Sequence, residues 1–594
     1  MKRLGIFSFT GRDGIVDEYV TCLLNDISQN LDELCIISNN ELTEEGLEKL
    51  RKASDLDVLF KTGNKFDAES WRDVMVEFYG FEKLLDFDEI VLFNNSFFGP
   101  LYPFETVFNE MDKQNIDFWG ITSHGEMPNK KDLCPYETCP PHIQNYFLAI
   151  RKSLVQSKEF REYWMDLSQF KNKTEVKYKH EAVFTRYFED LGFKWSTFVN
   201  CEEMVDINEN MDLYSFDTFN LVKNKKLPVL NVNSFLQERK NQLKYNMSLN
   251  LSNTIEYLKS NTDYEVSLIY EYLTRHIDPN RIVENLNLLR IFDKDRPVNL
   301  ETDKRILVIA HLHYEDLWEY DLEYLKNIPD FIDILITCNA SLKKSFFEEK
   351  IDIQLKNHVK IIKVDNRGRD MAALLIGARD IVKEYDYFCF VHDKKSNAKE
   401  FVTVGATFRD ILWENTLASE NYIKSVIKEF EDNPKLGLIL PPRVYHGTYF
   451  ESYVNNYWVV NYENTVGLLD EMGIDTPIDG DCPPLSIGNC FWARYDALEP
   501  LFELCWRHGD FPKEPLPEDG AVSHAIERVY GYVAASRGYY SEFAMTEDYA
   551  RAEMLNFNYM ASKTFNTINK KMNPNMFHYG FSGFDNSLKK IKKR

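Results

Sequence analysis

The sequence predicts an α/β protein built from two similar β/α units in tandem, joined by a helical connector. Three observations predict it. Short apolar runs of strand length alternate with amphipathic helical patterns, the rhythm of a parallel sheet covered by helices. A polar turn, a helix and a strand ending in polar residues occur in the same order twice, at residues 63–96 and 364–400. The 594 residues also exceed one ordinary hydrophobic core, and two larger α/β domains fit that length.

The first unit is placed at residues 1–229. It opens with a strand at Leu4–Phe9, an amphipathic helix around Tyr19–Leu24, a strand at Leu34–Ser38 and a polar helix across Glu44–Lys52. A turn containing Asp67 leads into a helix and the strand Glu89–Phe93, which ends in Asn94-Asn95-Ser96. Further strands are read at Asp117–Thr122 and Ile143–Ile150, with helices at Lys152–Leu167 and His180–Phe188.

Residues 230–302 contain no glycine and carry long helical periods, for example Leu249, Ile255 and Leu258, then Val266, Ile269, Tyr270 and Leu273. Their apolar content argues for a helical connector over a disordered linker. The second unit, residues 303–560, repeats the first. Arg305–Ala310 and Ile334–Asn339 match the first two strands. The turn Asp365–Asp370 precedes a helix through Leu374, Leu375, Ala378 and Ile381, and the strand Tyr387–Val391 stops at His392-Asp393-Lys394-Lys395-Ser396. Asn145–Ala149 is aligned with Asn489–Ala493. Residues 561–594 form an extension ending in Lys589, Lys590, Lys592, Lys593 and Arg594.

A net charge of −24 disfavours a general nucleic-acid-binding role. No signal-peptide pattern opens the sequence and no stretch is apolar enough to span a bilayer, so a cytoplasmic protein is expected. The basic tail suggests peripheral contact with an anionic inner membrane face. The 10 cysteines are scattered, several within apolar runs, as buried reduced thiols would be; Cys134 and Cys139 lack the partners of a zinc signature.

Three elements of the second unit can carry chemistry. The Asn366-Arg367-Gly368-Arg369-Asp370 turn offers backbone N–H groups and two guanidinium groups to a diphosphate. His392 and Asp393 end a buried strand, where α/β sheets bind ligands, and Asp393 could hold a divalent cation against phosphate oxygens. Glu518-Asp519, opening a helix, is a carboxylate pair suited to general-base work on an acceptor hydroxyl.

That order resembles the GT-A glycosyltransferases. Asn366-Arg367-Gly368 through Ala378-Arg379 looks like their Asn-x-Gly…Ala-Arg element, His392-Asp393 sits where an Asp-x-Asp motif lies, and Glu518-Asp519 matches the Glu-Asp of the catalytic base. More closely, the chain resembles the rhamnan synthesis protein F family from residue 1 to about 545. Trp71-Arg72-Asp73, Asn94–Leu101, Asp117–Gly120, Asn366–Asp370, His392–Ser396, Ser523–Arg528 and Gly538–Ser541 carry the resemblance.

The resemblance implies two GT-A-like (Rossmann-like) domains and inverting transfer of L-rhamnose from dTDP-rhamnose to a lipid-linked polysaccharide acceptor. Glu518 and Asp519 would be catalytic. Asn366, Arg367, Gly368, Arg369, Asp370, His392, Asp393, Lys394 and Lys395 would bind the donor, as would Asp67, Asn94 and Asn95 in the first unit. Asp393 would ligate Mg²⁺ or Mn²⁺; the alternative, since it is one carboxylate where Asp-x-Asp has two, is that Lys394 or Lys395 neutralises the diphosphate instead. In the first unit Lys179-His180 stands opposite Glu518-Asp519, which leaves either His180 or Glu181 as its base or a unit that only binds glycan. The competing function is a non-catalytic glycan-binding or scaffolding subunit. A nucleotide-sugar epimerase or reductase is disfavoured, since no Gly-x-Gly-x-x-Gly turn follows the opening strand.

Overall fold

A computed structural model describes the chain apart from residues 55–57, 63–64, 131–132, 201–212, 240–241, 244–247, 340, 352–354, 396–401, 444–457, 514, 516–518 and 572–594. It divides into two units, Met1–Ile269 and Tyr270–Arg594. Both are α/β.

In the first unit, strands β1 (Arg3–Phe9), β2 (Glu33–Ser38), β3 (Val58–Thr62), β4 (Glu89–Asn94), β5 (Phe118–His124), β6 (Phe147–Arg151) and β7 (Trp195–Val199) lie in the order β7-β5-β6-β4-β1-β2-β3. Only β6 runs antiparallel to its neighbours in that path. Helix α1 (Glu18–Ser28) links β1 to β2 and buries Tyr19, Val20, Leu23, Leu24 and Ile27. Helix α2 (Glu44–Lys52) begins at Thr43, whose hydroxyl accepts the Gly46 N–H, a cap that satisfies one orphan donor of the first turn. Helix α3 (Asp67–Asp73) continues into a π-helical turn, Val74–Tyr79. Strands β1 and β4 are buried along their whole length, as expected for a central parallel sheet covered on both faces.

The second unit repeats this plan. Its strands β8 (Leu289–Phe292), β9 (Ile306–His311), β10 (Asp333–Cys338), β11 (Val359–Lys363), β12 (Tyr387–His392), β13 (Leu436–Leu440), β14 (Phe491–Arg494) and β15 (Tyr540–Thr546) lie in the order β8-β15-β13-β14-β12-β9-β10-β11. Here β14 is the antiparallel strand. Helix α4 (Trp318–Leu325) follows β9, α5 (Ser341–Ile351) follows β10, and the short α6 (Arg369–Ala372) runs into a π-helical turn, Ala373–Gly377. Helix α7 (Val522–Ser536) precedes β15, and α8 (Glu547–Lys571) follows it.

Several expectations change. The connector at 230–302 is not a body of its own. Leu230–Asn231 pairs with Phe97–Phe98 in the first unit, and Leu289–Phe292 is an edge strand of the second unit's sheet. Apolar periodicity alone does not say which core a helix joins. The helix expected across Lys152–Leu167 is two shorter ones, Lys152–Val155 and Lys158–Met165, the second capped by Ser157. The alignment of Asn145–Ala149 with Asn489–Ala493 slips by one residue. Arg151 pairs with Glu89 on β4, and Arg494 with Tyr387 on β12, so Leu148 stands where Phe491 does and Tyr146 where Asn489 does. Both arginines confirm that register by spanning backbone carbonyls, Arg151 those of Met111, Gln114 and Ile116, Arg494 those of Phe430, Asn433 and Leu436. The described cysteines are free, and Cys35, Cys389 and Cys490 are buried as expected.

Candidate functional site

A cavity of about 530 Å³ opens at the carboxyl ends of β9 and β12, within the size range of small-ligand sites. His311 ends β9 and His392 ends β12, and the two are paired across the strands. His313 and Tyr314 follow β9; Asp393, Lys394 and Lys395 follow β12; Arg369 and Asp370 open α6; Gly488 and Asn489 precede β14; Ser523, His524 and Glu527 come from α7.

Asp370 sits between two imidazoles. Its Oδ2 accepts the Asn489 amide at 3.0 Å and lies 3.8 Å from His392 Nε2. Burial alone would raise its pKa, but His392, the Asn489 hydrogen bond and His311 outweigh it and hold the carboxyl below the usual range. Asn489 is oriented from behind, since its carbonyl accepts the Tyr530 hydroxyl at 2.7 Å and both residues are buried. His311 is almost fully enclosed, with Nδ1 2.9 Å from Thr337 Oγ1, and burial depresses its pKa to about 4.

Asp393 lines the cavity and also braces its rim. Its Oδ2 accepts the backbone N–H groups of His313 at 2.8 Å and Tyr314 at 2.6 Å, so it fixes the loop after β9. The second oxygen is buried without a hydrogen-bond partner. Burial raises this carboxyl to about 6, even against those two N–H donors. Only that second oxygen remains to meet a cation, so Asp393 would supply a single oxygen ligand. Among the described residues no group of three or more His, Cys, Asp or Glu is arranged to hold a metal ion.

The cationic wall is built from Arg369, Lys394 and Lys395. Arg369 has a positive φ of 47° directly after Gly368 at 92°, so the turn bends through two left-handed residues to start α6. A Cβ on Gly368 would lie 2.7 Å from Phe511 Cγ and 2.8 Å from Ala372 Cβ, which leaves glycine the residue for this position. Lys394 Nζ lies 4.2 Å from the Phe408 ring centroid, and Lys395 bonds Asp316 while its ammonium lies over Tyr314. Asn366 accepts the Asn339 amide at 2.8 Å.

The structure therefore brings Asn366, Arg369, Asp370, His392, Asp393, Lys394 and Lys395 to one cavity. Arg367 is elsewhere: its guanidinium donates to the carbonyls of Phe511 at 2.7 Å and Gly509 at 2.9 Å, bracing that loop. Asp519 accepts the Asn461 amide at 2.7 Å and lies 3.6 Å from His524 Nδ1, one residue behind the lining. Glu518 and Ser396 lie outside the described residues. Sequence reasoning missed His311, His313, Tyr314, Asn489 and Glu527. The signal for Glu527 was its place one turn after His524 on the same helix, where i and i+3 share a face.

The first unit's candidates meet one another instead. Asp67 accepts the Ser8 hydroxyl at 2.6 Å and the Asn94 amide at 2.9 Å, while Asn95 exchanges both its amide groups with the backbone of Thr10. His180, considered as a base there, is fully buried among Tyr163, Trp164, Phe170 and Phe184, and burial lowers its pKa to about 3. It is a core residue.

A family model described as rhamnan synthesis protein F matches residues 34–539. An uncharacterised protein, WxcX, of Xanthomonas campestris pv. campestris is 24% identical over 225 residues, which cover 36% of this chain and 31% of the relative. The matched region thus spans about a third of that relative's length. Among solved structures, the glycosyltransferase GlyE of Streptococcus pneumoniae aligns with a TM-score of 0.23 at 12% identity, over 68% of this chain and 89% of its own. The mannosyltransferase PcManGT of Pyrobaculum calidifontis, in complex with GDP-Man and Mn²⁺, aligns with a TM-score of 0.22 at 14% identity, over 50% of this chain and 67% of its own.

Proposed function

The chain belongs to the rhamnan synthesis protein F family, a family of glycosyltransferases, and on that premise we propose that its second unit transfers L-rhamnose from dTDP-rhamnose to a lipid-linked polysaccharide acceptor. The observation that carries the reading is the cavity at the ends of β9 and β12. Arg369, Lys394 and Lys395 supply cationic charge there, and Asp370 and Asn489 supply oriented polar groups. That combination suits an anionic diphosphate joined to a neutral, hydroxyl-rich sugar.

In the proposed scheme the acceptor oxygen forms a bond to the anomeric carbon as the bond from that carbon to the diphosphate oxygen breaks. The leaving diphosphate takes the bonding pair, and Arg369, Lys394 and Lys395 stabilise the charge that develops on it. The acceptor proton passes to Asp519, which precedes α7, or to its sequence neighbour Glu518. His524, beside Asp519 and on the cavity wall, holds that end of the helix in register through the Ala521 N–H. No step runs through a metal ion.

The test is incubation of the purified protein with dTDP-rhamnose, and separately with other nucleotide sugars, plus a lipid-linked acceptor, followed by product mass. A mass increase of one deoxyhexose supports the reading. Donor binding with no transfer to any acceptor would instead make the chain the binding or scaffolding subunit.

A further inference from the structure

The strand registers place the two units' polar clusters position for position. Ser8 faces Asn94 across β1 and β4, as His311 faces His392 across β9 and β12. On the other side Ser8 faces Ile37 and His311 faces Thr337, so Asn39 and Asn339 follow their strands at the same point. Asp67 is the first residue, and Asp370 the second, of the helix that runs into a π-helical turn. Ser8, Asn39, Asp67 and Asn94 thus stand where His311, Asn339, Asp370 and His392 stand. Counting onward from the paired strand ends, Asn95, Ser96 and Phe97 replace Asp393, Lys394 and Lys395.

The geometry is shared and the chemistry is not. In the first unit the carboxylate is held by a hydroxyl and amides: Ser8 at 2.6 Å, Asn94 at 2.9 Å and Asn39 at 3.4 Å. The two lysine positions there are a small hydroxyl and a fully buried ring. Lys173 is the cation whose field reaches Asp67. In the second unit the same carboxylate lies between two imidazoles, and two ammonium groups follow the strand. A diphosphate set beside a carboxylate needs nearby cations, because uncompensated like charges in a partly desolvated site are costly.

We infer that the chain holds one nucleoside-diphosphate subsite, in the second unit, and that Lys394 and Lys395, with His311 and His392 flanking Asp370, are the residues that distinguish it from its first-unit counterpart. The first unit keeps the cluster as a hydrogen-bonded brace between β1, β2, β4 and α3. This inference rests on the donor reading above.

The experiment is calorimetric titration of the full-length protein with dTDP, UDP and GDP, each alone. One equivalent per chain is expected for the nucleotide that binds. His392→Asn, and the double change His311→Ser with His392→Asn, install the first unit's residues and should weaken binding at least tenfold. Thermal unfolding of each variant establishes that it is folded, and the wild-type stoichiometry stands independently of either. Two equivalents per chain, or unchanged affinity in both folded variants, would overturn the inference while leaving the donor reading intact. No binding of any of the three nucleotides at millimolar concentration would remove the donor reading, and the inference with it.

Discussion

At the scale of residues, the second unit's carboxylates stand in different surroundings. Asp370 is held ionised by its neighbours, Asp393 is spent on two backbone N–H groups, and Asp519 sits at the head of a helix beside an imidazole. Asp519→Asn and Glu518→Gln should therefore separate base from neighbour. The variant lacking the base should lose roughly 10²- to 10⁴-fold in turnover and keep its donor affinity, because a proton acceptor acts in the transition state. Full turnover in both single variants and in the double variant would reject this assignment. Arg369→Ala should weaken dTDP-rhamnose binding about tenfold with little effect on folding, since its side chain is exposed. Calorimetry at fixed salt reads that directly.

Asp321 is a second kind of residue. It is fully buried on α4, neither oxygen has a hydrogen-bond partner, and burial, with the nearby charge of Asp393, pushes its pKa up to about 8. Its folded pKa lies above the unfolded value of about 4. Between those values folding takes up a proton, so this group lowers stability as pH rises, by at most about 1.4 kcal/mol per pH unit. Below about pH 4 both states are protonated and the penalty is absent. Asp321→Asn should consequently gain on wild type between pH 5 and pH 8, by on the order of 1 kcal/mol or more. Urea unfolding at the two pH values checks this, and an equal difference at both would contradict it.

At the scale of elements, the turn into α6 forms one wall of the cavity through Asn366, Arg369 and Asp370. Gly368 and Arg369 adopt left-handed conformations in succession, and Arg367 is pulled out to the Phe511 and Gly509 carbonyls. Gly368→Ala sets a Cβ against Phe511 and Ala372 and imposes a positive φ on a residue that resists it. A loss of about 1–3 kcal/mol in stability and a clear loss of nucleotide affinity are expected. Wild-type stability and affinity in Gly368→Ala would show that the loop relaxes freely. Glu527 has a structural task on α7, accepting the Gly488 N–H at the cavity wall. Glu527→Gln keeps an acceptor there and should preserve more donor affinity than Glu527→Ala.

At the scale of the whole molecule, charge is unevenly placed. The chain carries −24, yet residues 561–594 are strongly basic. Within α8, just before them, Met554, Leu555 and Tyr559 are each about two-thirds exposed and Phe557 is 40% exposed. No described helix is long and apolar enough to cross a membrane. An exposed apolar run followed by basic residues suits reversible contact with an anionic bilayer, at about 1 kcal/mol per basic residue near the surface. Truncation after Ser587, in the part of the tail outside the described residues, should reduce co-sedimentation with phosphatidylglycerol vesicles at low salt. It should leave transfer to a soluble acceptor analogue intact. Equal vesicle binding by both proteins would end the idea.

The sequence by itself determined the α/β class, the doubling of the unit and the strand ends that line the cavity. Those features are local: a strand's apolar period, a glycine in a turn and a polar stop are written in neighbouring residues. It also located Asn366, Arg369, Asp370, His392 and the two lysines, because each sits at such a boundary. What only the tertiary structure decided was who faces whom. The pairing of His311 with His392, the use of Asp393 on the loop after β9, and the diversion of Arg367 all depend on contacts between segments far apart in the chain. So does the one-residue register between β6 and β14, which places Tyr146, and not Asn145, at the position of Asn489. A strand shows its faces in sequence, but a register slip of one residue exchanges those faces, and only cross-strand hydrogen bonds set it.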